Sequence, residues 1–160
     1  MLTNQIYPKN KDFFLKLVEF GKGCQAISTA NGFEPVIYGS VAYLFYAKDD
    51  SIEVNDIDFL VPETALDVLA AEFARQGLKY EITTYHSLKV FKDEIKISFD
   101  SVEHYLQGIS ELAYTVKIEG ENFKVLNPES LKKVYKQGAE NIPFKKDAYS
   151  YKLKHLSELP

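Results

Sequence analysis

The sequence predicts an α+β domain: a small mixed β-sheet flanked by helices, with a C-terminal helical segment. Three observations predict it. Apolar stripes at three- and four-residue steps, such as Phe13-Phe14-Leu17-Val18, are interleaved with short strand-like runs, such as Val36-Ile37-Tyr38 and Phe59-Leu60-Val61. Hairpin-like strands in the second half, around Glu119-Gly120-Glu121-Asn122, add antiparallel pairing. The length of 160 residues with 46% hydrophobic content suits one core. The core domain is expected over 1–126, with 127–160 as a helical segment packed on it.

Residues 10–31 carry the first helical stripe, through Cys24 and Ile27. Gly21 and Gly23 weaken its middle and are expected to break it in two. Asn31-Gly32 is a stop signal, and Phe33-Glu34-Pro35 leads into the first strand. Ser40 opens a helix whose Val41, Ala42, Leu44 and Phe45 are expected to be buried. Ala47 to Asn55 reads as a polar surface loop without an apolar anchor, placed to close over a substrate. A strand follows over 56–61. Pro62-Glu63-Thr64 starts a helix with Leu66, Leu69, Ala70 and Phe73 inside, ended by Gly77. Leu78 to Phe99 reads as β-structure with a turn at Lys92-Asp93. Ser101 to Tyr114 is expected to be helical, with Val102, Tyr105, Leu106 and Ile109 on one face. Asn127-Pro128-Glu129 opens another helix, running to about Gly138.

Chemistry concentrates between Val36 and Val61. Side chains alternate along a strand, so Asp56 and Asp58 point one way and Ile57 the other. Two carboxylates on one face repel each other unless a cation lies between them, and a divalent metal fits. Upstream, Gly39 permits close backbone approach. Ser40, at a helix N-terminus, offers a hydroxyl and free N–H groups to a phosphate.

Tyr38-Gly39-Ser40 followed by Asp56-Ile57-Asp58-Phe59 resembles the signature of the nucleotidyltransferase superfamily with the DNA polymerase β-like fold. The nearer resemblance is to its small bacterial and archaeal branch, which includes antibiotic and toxin–antitoxin nucleotidyltransferases. The spacer Val41 to Asn55, fifteen residues, is longer than that pattern. A second block, Val125-Leu126-Asn127-Pro128-Glu129-Ser130-Leu131, also resembles these enzymes, with Lys136 and Lys146-Asp147 fitting more loosely. Together the two blocks span about residues 36–156.

The resemblance implies a metal-dependent enzyme that moves a nucleoside monophosphate from an NTP to an acceptor hydroxyl. The acceptor is a small molecule, or a protein or tRNA partner. Two Mg2+ ions, or Mn2+, are implied on Asp56, Asp58 and a third carboxylate from a neighbouring strand. Asp100 is the candidate for that ligand and for the base, and Glu94 the alternative. The family's third acid lies between apolar neighbours, a slot that Ser98 also fits. Gly39, Ser40 and Lys136 are implied to bind the nucleotide. With Ser98 in that slot, the alternative is a degenerate module that binds nucleotide or a protein without turnover.

Composition excludes other classes. A net charge of −4 argues against a general nucleic-acid coat. Residues 126–160 hold seven Lys against four acids, a balance of +3 that leaves −7 elsewhere. No apolar run approaches the ~20 residues of a membrane span. A single cysteine, Cys24, forms no intrachain disulfide and is expected in the core. With no signal-like opening, a cytoplasmic location is expected. His86, His104 and His155 show neither metal-ligand spacing nor a close pair, and neither a P-loop nor a G-x-G-x-x-G fingerprint is present.

Overall fold

The structure is a computed structural model that describes residues 2–4, 6–106 and 113–160. Its strands are β1 (Leu2–Thr3), β2 (Val36–Tyr38), β3 (Asp56–Val61), β4 (Lys79–Ile82), β5 (Ser87–Lys92), β6 (Ile95–Ser101), β7 (Ala113–Ile118) and β8 (Glu121–Leu126). Its helices are α1 (Lys11–Ala30), α2 (Ser40–Ala47), α3 (Ala65–Arg75), α4 (Val102–Tyr105), α5 (Pro128–Asn141) and α6 (Lys146–Ser157). Among the described residues all eight strands join one sheet, in the order β1-β7-β8-β2-β3-β6-β5-β4. The sheet is mixed: β3 runs parallel to β6, and β2 parallel to β8. β2 is antiparallel to β3 and β5 to β6. The α+β architecture expected from the sequence is therefore the one found.

Alternation along β3 and β6 gives the sheet two unlike faces. Ile57, Phe59, Ile97 and Phe99 are fully buried on the apolar face, where Phe59 and Phe99 stack and Phe73 of α3 packs on Phe99. Each such side chain contributes roughly 1.5–3 kcal/mol by leaving water. α1 covers this face as one unbroken helix, not two. Gly21 explains why: a Cβ there would stand 2.6 Å from Cδ1 of Ile57. The glycine lets the helix approach the sheet instead of breaking it. The opposite face of the same strands carries Asp56, Asp58, Ser98 and Asp100.

Three other expectations are corrected. The loop after α2 does have an apolar anchor, since Val54 is fully buried. It is also tied down: Asn10 makes two hydrogen bonds to the Val54 backbone, and Lys9 N–H donates to the Ile52 carbonyl. Of the helix expected over 101–114, the described residues show one turn, α4, and Ala113 and Tyr114 already belong to β7. Ile109 lies outside the described residues. Phe45 is half-buried, while Tyr43 takes the fully buried place. The hairpin between β7 and β8 turns at Glu119 and Gly120, both at positive φ, as a two-residue loop requires.

Candidate active site

The site forms where β2 ends, α2 begins and β3 starts. Gly39 makes the corner with φ of 74°. A Cβ on it would stand 2.6 Å from Oδ2 of Asp58, so conformation and space both demand glycine. Gly39, at the N-cap of α2, supplies no side-chain cap to the first N–H groups of the helix. Asp56 and Asp58 share one face of β3, as alternation predicts, and both are partly exposed. Asp56 pairs with Lys96 at 3.3 Å. The Asp58 carboxylate has no hydrogen bond or ion pair among the described residues. Desolvation, then the charges of Asp56 and Asp100, push its carboxyl well above the usual range, with Lys89 and Lys96 opposing.

Asp100 is on the same face but in a different situation. It is 4% exposed and accepts hydrogen bonds from the hydroxyls of Tyr38, Ser87 and Ser98, the last at 2.8 Å. The register explains the shift. Asp58 is level with Ser98 on β6, and Asp100 is level with Leu60, two residues farther along. Lys89 on β5 donates to Ser98 Oγ at 2.7 Å and lies 4.0 Å from Asp100. Among the described residues no three His, Cys, Asp or Glu side chains come together as a metal-holding group. Glu94 precedes β6 and is exposed at the β5–β6 turn.

Lys136 is exposed on α5. Lys152 of α6 donates to Ser40 Oγ at 2.8 Å. Its ammonium lies 5.7 Å from the Tyr43 ring centroid and 5.5 Å from that of Tyr135. Burial pulls its pKa down, against the charges of Asp58 and Asp56. Sequence reasoning missed it, although a signal was present. Lys152 shares the i, i+3, i+4, i+7 stripe with Tyr149, Leu153 and Leu156, and a lysine on an apolar stripe has something to reach. Gly138 of α5 lets α6 settle there, since a Cβ on it would meet the Tyr149 ring at 2.3 Å.

Asp49 fixes the rim. It accepts hydrogen bonds from the hydroxyls of Tyr43 at 2.6 Å and Tyr151 at 2.9 Å, and from Ser51. The loop thus bridges α2 and α6. Partial burial pushes the Asp49 carboxyl up, but these hydrogen bonds outweigh it and bring it down to about 2. The fold brings together two exposed histidines that lie apart in the sequence. His86 and His104 stack with ring centroids 4.3 Å apart, and His86 Nδ1 lies 2.8 Å from a Glu63 carboxylate oxygen.

No protein-family model matches the sequence, and no curated protein matches it. Solved structures do match. The antibiotic-resistance factor ANT(2'')-Ia in solution superposes with a TM-score of 0.66 at 16% identity, over 90% of this chain and 83% of that one. The lincosamide antibiotic adenylyltransferase LnuA, lincomycin-bound, gives 0.54 at 10% identity, over 98% and 100%. An antigenic nucleotidyltransferase-like protein from Paracoccidioides brasiliensis gives 0.54 at 14% identity, over 83% and 71%. At these identities the likeness is one of fold, and it is the fold that Gly39-Ser40 and Asp56-Ile57-Asp58 led one to expect.

Proposed function

We propose that this chain, which has the nucleotidyltransferase fold, transfers a nucleoside monophosphate from an NTP to an acceptor hydroxyl. The observation that carries the reading is Asp58: a half-buried carboxylate beside Asp56, packed on Gly39 and without a hydrogen-bond or ion-pair partner among the described residues. An anion arranged this way calls for a cation. The donor set is hard oxygen, which suits Mg2+ or Mn2+ completed by phosphate oxygens and water. Asp56 and Asp58 would hold it. When bound, such an ion neutralises phosphate charge and polarises the α-phosphate.

The chain's own residues do the rest. The uncapped start of α2 and the Ser40 hydroxyl receive the β- and γ-phosphates. Lys152, already on Ser40, supplies the positive charge that the sequence reading had given to Lys136. The acceptor oxygen bonds to the α-phosphorus as the bond to the pyrophosphate oxygen breaks, and pyrophosphate leaves with that electron pair. The acceptor's proton passes to Asp58, whose oxygens have no competing donor among the described residues. Asp100 is given neither role, because three hydroxyls already occupy it. The fold relatives ANT(2'')-Ia and LnuA carry adenylyl-2''-tobramycin and lincomycin in their complexes, which favours a small hydroxyl-bearing acceptor.

Asp100 also favours a second reading, a module that binds nucleotide without turnover. One experiment separates the two. The protein is incubated with Mg2+ or Mn2+ and each labelled NTP, and thermal shift and pyrophosphate release are measured. A metal-dependent shift with release is expected. A shift without release, with hydroxyl acceptors supplied, supports the binding module. The absence of a shift with every nucleotide overturns both.

A further inference from the structure

We infer that this site takes one divalent ion, with the Lys89 ammonium held where the charge of a second ion would otherwise be needed. The inference rests on the proposed nucleotidyl transfer and specifies its machinery. The register carries it. Tyr38 of β2 pairs with Asp58 of β3, Asp58 with Ser98 of β6, and Ser98 with Lys89 of β5. These four residues form one row across four strands, on one face, with neighbouring strands about 4.8 Å apart. The place level with Asp58 is where an acid would share metals with it. The chain puts a hydroxyl there and a lysine behind it.

Both groups are committed. Ser98 Oγ donates to Asp100 at 2.8 Å and accepts from Lys89 at 2.7 Å. Lys89 is also within 4.0 Å of Asp100. Charges pair off accordingly: Asp56 has Lys96 and Asp100 has Lys89, so among the described residues Asp58 is the one of the three acids with no cation in ion-pair range. One carboxylate without an ion pair next to a paired one suits one hard cation. A second ion on the β6 side would meet the Lys89 ammonium instead of a ligand, and like charges repel each other.

The test counts ions, not turnover. Bound Mn2+ per chain is measured by electron paramagnetic resonance, with the α,β-methylene analogue of each NTP at saturation. Wild type is expected to hold one Mn2+ per chain. The double substitution Lys89→Ala with Ser98→Asp, which replaces the ammonium with a carboxylate beside Asp58, is expected to hold two. Two ions on wild type overturn the inference and leave nucleotidyl transfer standing. One ion on both proteins also overturns it, because Lys89 and Ser98 then do not set the number. No Mn2+ and no analogue bound to wild type overturns the inference together with the function it rests on. Wild type alone decides the central point should the double variant fail to fold.

Discussion

Asp58 and Asp100 are the same residue type on the same sheet face, on adjacent parallel strands, and the protein treats them oppositely. Asp100 is almost fully buried and accepts three hydroxyl hydrogen bonds, with a lysine 4.0 Å away. Asp58 is partly exposed, has no donor among the described residues and faces the charges of its neighbours. A buried carboxylate is tolerated when hydrogen bonds and opposite charge replace its water. One left unsatisfied and partly desolvated is held at a cost, and a ligand is the simplest return on it. The difference teaches where to look for function: at the acid the fold does not complete.

The largest effect should come from Asp58. Asp58→Ala is expected to reduce pyrophosphate release by roughly 10²–10³-fold or more, the scale seen when a preorganised electrostatic group is lost. The metal-free variant should melt no lower than wild type. The pH dependence follows in sign. A carboxyl whose folded pKa is raised holds its proton longer in the native state, so its contribution is fully present below the unfolded value of about 3.9 and is lost as pH rises through the raised folded value. Metal-free wild type should therefore lose stability relative to Asp58→Ala as pH climbs through that window. A metal-free Asp58→Ala that melts clearly lower at neutral pH would break the comparison.

Asp100 should show the reverse. Asp100→Ala strips the acceptor from three buried hydroxyls and the partner from Lys89, and is expected to cost about 3 kcal/mol in urea unfolding. Bound Mn2+ should stay the same in whatever fraction folds. If stability barely changes and the ion is lost, Asp100 is a ligand after all.

Lys152→Met keeps the stem on Tyr43 and Tyr135 and removes only the charge at Ser40. A tenfold rise in KM for the NTP is expected, about 1.4 kcal/mol, with the melting temperature within a few degrees of wild type. Lys136→Met, changed on the exposed face of α5, should leave KM unmoved. The reverse order would return the phosphate contact to Lys136.

The sequence made the Asp58 side of the comparison readable and hid the Asp100 side. Alternation puts Asp56 and Asp58 on one face whatever the fold, and Gly39 announces a tight corner. Both are local facts. The state of Asp100 depends on Tyr38, 62 residues away, and on strand register, which no single strand encodes. Parity gave its face but not the hydroxyls waiting there. Lys152 was hidden for a related reason: α6 matters only because Gly138 lets Tyr149 sit down on α5. Gly21 misled in the other direction. A glycine inside a helix pattern reads as weakness, and here it is a contact with Ile57. His86 and His104 meet through the fold alone, from either side of β5 and β6.

Asp49 supplies the mildest test, because it is satisfied like Asp100 but near the surface. Its carboxylate ties Tyr43 of α2 to Tyr151 of α6, and with it the loop to the helix that carries Lys152. Its folded pKa of about 2 lies below the unfolded value of about 3.9. The contribution is therefore present above the unfolded value and lost as pH falls through about 2. Solvent screening keeps it at about 1 kcal/mol or less. Asp49→Asn should lower stability by that amount at pH 7, and the gap to wild type should close on acidification toward pH 2. A gap that persists unchanged there would mean that packing of the loop, not the charge of Asp49, holds the two helices together.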